Sequence, residues 1–145
     1  MKKLIYLLCP AILALGACNV ADDKDYDNMA ADICDCVNKS TTGISDGMKS
    51  TLIQADKEGK DLQTAVTEYM MKDPEQGMKD AEAMMGLETG MSGCMKDLEK
   101  KYNDVYSTES EKEVQDKLMA KLKTNKDCAF TYTIAKMGME EMAKK

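Results

Sequence analysis

Apolar residues along this chain recur at intervals of three and four, not two, and few of them are β-branched, which predicts helix throughout. The first helix is expected from about Tyr26 to Lys39, with Tyr26, Met29, Ala30, Ile33 and Val37 on one face. A second region holds Met48, Leu52 and Ile53, and past Gly59 the spacing continues through Leu62, Val66, Tyr69 and Met70. Asp73-Pro74-Glu75-Gln76 is a start signal: Asp73 caps, Pro74 suits the first helical position and Gln76 completes a capping box. Met78, Ala81 and Met84 or Met85 would then face inward. Gly86, Gly90 and Gly93 either break this helix or admit a close neighbour.

Met91, Met95, Leu98, Tyr102 and Val105 resume the spacing of a bundle seam. Thr108-Glu109-Ser110-Glu111 reads as a second capping box, opening a helix with Val114, Leu118 and Leu122 inward. A last helix starts near Asn125 to Asp127. It carries Phe130 and Ile134 on one side and Tyr132, Ala135, Met139 and Met142 on another, so it should touch several neighbours. The expected fold is all-α: a compact bundle of four or five helices joined by short loops, with neighbours antiparallel.

The first 18 residues do not belong to that bundle. Met-Lys-Lys, an apolar run from Leu4 to Ala17, and Cys18 have the layout of a secretory signal, too short to span a bilayer as a mature helix. Leu15-Gly16-Ala17-Cys18 resembles the lipobox of bacterial lipoproteins. The resemblance implies that residues 1–17 are removed and that Cys18 takes a diacylglycerol on its thiol and an acyl chain on its new N-terminus. Each buried methylene contributes roughly 0.8 kcal/mol, so several chains hold firmly. Residues 18–25 would be an acidic tether and residues 26–145 a single helical domain. The acids after Cys18 also resemble the tags that send some lipoproteins to the outer face of the outer membrane. Asp23, Asp25 and Asp27 alternate like the start of a calcium loop, but neither the glycine nor the final glutamate of such a loop follows. Beyond residue 18 the chain resembles small cysteine-containing envelope lipoproteins in general character only.

Export changes the meaning of the cysteines. Cys9 leaves with the leader, and Cys34, Cys36, Cys94 and Cys128 remain, an even count in an oxidising compartment. Residues two apart on a helix point about 160° away from each other. Cys34 and Cys36 therefore sit on opposite edges of the stripe centred on Ile33 and are placed to reach two different helices. One should pair with Cys94 and the other with Cys128; spacing leaves open which. Each bridge is expected to stabilise by about 2–4 kcal/mol. A four-thiolate metal site is the alternative, opposed by the compartment and by the divergent directions.

Composition narrows function mostly by exclusion. All 20 basic residues are Lys, and without Lys2 and Lys3 the balance is 18 lysines against 26 acids, a net charge of −8. Such a surface, with no Arg fork, argues against a nucleic-acid partner. With no His, Ser-His and Cys-His catalysis is excluded, and no phosphate loop or zinc motif is present, so the expectation is a protein that is not an enzyme and carries no cofactor. The chain has 14 Met, one Phe and no Trp, so Met fills core space that aromatics occupy elsewhere. Three functions from different classes remain. The first is an accessory module that binds an envelope protein. The second is a Cu(I) binder using Met137, Met139 and Met142. The third is a carrier of a small apolar ligand, which needs an internal pocket of about 300 Å³ or more.

Overall fold

The computed structural model describes residues 22–143, with the side chains of residue 88 and residues 141–143 outside that description. The lipobox, Cys18 and the Met142 side chain therefore lie outside the described residues. Those residues fold as eight α-helices and a 3₁₀ turn with no strand: α1 (Asp23–Ser40), α2 (Asp46–Lys57), α3 (Leu62–Lys72), α4 (Pro74–Met85), α5 (Leu87–Lys101), α6 (Asn103–Thr108), α7 (Glu111–Thr124), the turn Lys126–Cys128, and α8 (Ala129–Ala143). The all-α bundle joined by two disulfides is as the periodicity predicts, divided into more and shorter segments.

Local chemistry sets the boundaries. Asp22 accepts from the Asp25 N–H while Asp25 accepts from the Asp22 N–H, a reciprocal cap that starts α1 at Asp23 rather than Tyr26. Asp23 and Asp27 both pair with Lys121 of α7. The acids from residue 22 onward thus belong to the bundle and not to a tether. The cap of α7 falls two residues later than expected: Ser110 and Glu113 form the capping box, because Glu109 is drawn to Lys117 and Tyr26. Asp73 does cap α4 by accepting from the Gln76 N–H, but the Gln76 side chain turns to Asp80, so that box is not closed. Gly86 keeps right-handed angles (φ −75°, ψ −13°) and interrupts the chain by a single residue between α4 and α5. Gly90 and Gly93 lie inside α5.

α1 is the centre of the molecule, packing against α5, α7 and α8. Its buried face divides between two clusters. Tyr26, Met29, Ile33, Cys36 and Val37 join Met48, Leu52, Leu98, Tyr102, Val105, Val114 and Phe130 in the main core. Ala30 and Cys34 join Leu122 and Cys128 in a smaller one. α8 contributes to both, with Phe130 and Ile134 in the first and Tyr132 against the second, as its wide apolar surface predicts. The disulfides follow this division: Cys36 pairs with Cys94 and Cys34 with Cys128, at Cα separations of 6.0 and 5.4 Å. Helical geometry required two different targets, and the fold supplies the pairing.

α2 links α8 to α3, which in turn carries α4. Between α3 and α4 the backbones come close: a Cβ placed on Gly77 would lie 2.8 Å from the Met70 Cα. Glycine is required there for the approach, and this contact positions the surface described next.

Candidate functional site

The side chains that the core does not absorb are concentrated on α3 and α4. Met71, Met78 and Met85 are 69%, 69% and 84% exposed, at seven-residue spacing. Residues seven apart on one helix lie on nearly the same face, so Met78 and Met85 form one edge of α4. Met71 lies two residues past Tyr69 on α3, and since Tyr69 and Asp80 both turn to Ser45, Met71 and Met78 both point away from that junction. Met78 was expected to face inward, and this is corrected: the inward positions are Gly77, Asp80, Met84 and, just past the helix, Leu87, so that of the pair Met84 or Met85 it is Met84 that packs on the core.

Asp80 explains the rotation. It is completely buried, and its carboxylate accepts from the Ser45 N–H at 2.7 Å, the Ser45 hydroxyl at 2.6 Å and the Gln76 amide at 3.2 Å. Met78 lies two residues earlier and so points about 160° away from this anchor. Burial alone would push the Asp80 carboxyl up. The hydrogen bonds from Ser45 and Gln76 outweigh it and hold the group below the ordinary carboxylate range. Ser45 is fully committed: it gives its one proton to Asp80, accepts from the Met48 N–H as the cap of α2, and is 3.0 Å from the Tyr69 hydroxyl, which must then be the donor. A Ser, an Asp and a Tyr thus meet in one place, but as a structural junction between the start of α2, α3 and α4. The Met48 N–H and the Tyr69 hydroxyl occupy both lone pairs of the Ser45 oxygen, which leaves none directed outward for nucleophilic attack. Sequence reasoning missed Asp80, since an acid within a helix reads as a solvated position.

Two recesses among the described residues bear on function. A groove of about 380 Å³ between α2 and α3 is lined by Gln54, Ala55, Glu58, Lys60, Glu68, Tyr69 and Lys72 among others. Charged side chains rim it and it opens to solvent, so it differs from the internal pocket a carrier requires. The second, of about 260 Å³, lies between α1 and α5 and is walled by Asp32, Asp35, Lys39, Asp97 and Lys101 around Cys36 and Cys94. There Asp32 accepts from Lys101 and from the Tyr102 hydroxyl. These hydrogen bonds, that of Lys101 foremost, lower the Asp32 carboxyl, and Asp32 in return raises Lys101. A similar trio, Tyr26, Glu109 and Lys117, joins α1 to the start of α7.

The predicted site residues are distributed as follows. Cys34, Cys36, Cys94 and Cys128 are the disulfide pairs. Met137 and Met139 are half-buried on α8, and two residues apart they point in nearly opposite directions, so they do not form a pair of convergent sulfurs. Met78 and Met85 are separated by roughly 10 Å along the helix axis, too far to share one ion. Among the described residues no helix is long and apolar enough to cross a membrane. No protein-family model matches the chain, and comparison with the curated proteins and with the solved structures gives no match either.

Proposed function

We propose that this chain is a non-catalytic lipoprotein of the cell envelope, held to the outer membrane through lipid on Cys18, that docks a protein partner on the methionine face of α3 and α4. The leader and the Leu15-Gly16-Ala17-Cys18 sequence support the anchor. The observation that carries the docking role is the exposure of Met71, Met78 and Met85, on faces of α3 and α4 turned away from Ser45, while Met29 and Met48 are fully buried. Unbranched thioether side chains adapt their shape to a partner, and grouped apolar exposure marks contact surfaces. The acidic balance of the mature chain favours a partner with a basic rim.

A photo-crosslinking residue placed at Met78 in living cells tests this reading, with Lys112, an exposed position on α7, as control. A discrete adduct should form from position 78 and not from 112. It should disappear when Met71→Glu and Met85→Glu are added. An adduct indifferent to those substitutions, or none at all from position 78, contradicts the docking role.

A further inference from the structure

The two disulfides differ in what surrounds them. Cys34–Cys128 is enclosed, with both residues buried and Cys128 showing no exposed surface, among Ala30 and Leu122. Cys36–Cys94 forms part of the wall of the solvent-open recess between α1 and α5, and Cys94 is only partly buried there. Thiol–disulfide exchange requires a thiolate to reach one sulfur, so access separates the two bonds.

We propose that Cys36–Cys94 is a site of exchange with a dithiol reductant, and that Cys34–Cys128 is not. The reductant's thiolate bonds to Cys94 Sγ, the Sγ–Sγ bond breaks, and its electron pair leaves on Cys36 Sγ, which takes a proton from water. The second thiolate of the reductant then attacks the reductant's own sulfur in the mixed disulfide. A cyclic disulfide forms, Cys94 departs as thiolate, and two electrons have passed from the dithiol to the protein. The three acids at the recess are each paired with a lysine, Asp35 with Lys39, Asp32 with Lys101 and Asp97 with Lys100. After reduction α1 remains joined to α5 by the hydrogen bonds of Asp32 with Lys101 and Tyr102. The bond can therefore open without separating the two helices.

The test uses the full-length protein in detergent, pulsed with dithiothreitol under native conditions, quenched in acid, alkylated and mapped by peptide mass spectrometry. Cys36 and Cys94 should be labelled together, at least about tenfold faster than Cys34 and Cys128. Equal rates, the reverse order, or no labelling of either pair until the fold is opened with urea would overturn the proposal.

Discussion

Replacing Cys34 and Cys128 together with Ala should lower the unfolding free energy by about 4 kcal/mol, the largest effect expected of any pair of side chains in the bundle. The bridge closes a segment with a sequence separation of 94, so it removes a large share of the unfolded chain's freedom. It also ties α1 to the turn at Lys126–Cys128 and the start of α8, inside the smaller of the two clusters. That cluster has few members, with Ala30 and Leu122 beside the sulfurs, and little apolar burial to replace the covalent link. Urea titration of the oxidised wild type and the double variant measures the difference. A loss below about 1 kcal/mol would mean that noncovalent packing holds this end of the molecule.

The second large effect belongs to Asp80. Asp80→Ala leaves the Ser45 N–H and hydroxyl without their acceptor in a buried setting and should cost about 3 kcal/mol, whereas Asp80→Asn, which keeps one acceptor oxygen, should cost about 1 kcal/mol. The pH dependence has a definite sign. The folded carboxyl lies below its ordinary value, so the stabilisation it provides is complete above the unfolded Asp range and is lost as pH falls through the folded value. The gap between wild type and Asp80→Asn should therefore be full at neutral pH and shrink in acid, where a protonated Asp80 resembles Asn. Denaturant titrations at neutral and acidic pH check this, and a gap that widens in acid contradicts the assignment. Because Asp80 also sets the rotation of α4, Asp80→Ala should reduce crosslinking from Met78 even under conditions where the protein remains folded.

The parts of this structure that follow from periodicity were legible in the sequence, and the parts that depend on tertiary polar contacts were not. Cys34 and Cys36 had to diverge because helical residues two apart face apart, and they do: one enters each cluster. The inward faces of α1, α7 and α8 were legible for the same reason. The stripe on α4 was right at Met84 and wrong at Met78, because hydrophobicity places Met78 inside and Asp80 outside while the hydrogen bonds from Ser45 reverse them. No local signal marks an acid whose partner lies 35 residues earlier in the chain. Gly77 was equally silent, since its role exists only once Met70 lies against it. The capping box at Ser110 was displaced by Glu109, whose ties to Lys117 and to Tyr26, 83 residues away, are again tertiary. The proposed lipobox is different in kind, since the resemblance rests on Leu15-Gly16-Ala17-Cys18 alone and not on any fold.

The envelope reading and the disulfides depend together on export, and the intact mass of the protein isolated from its own cells tests both at once. The mass should be that of a chain beginning at Cys18, increased by the acyl groups, and four hydrogens lighter than the fully reduced form, for the two bridges. A species retaining Met1, unmodified at Cys18 and carrying free thiols at Cys34, Cys36, Cys94 and Cys128, would contradict the account.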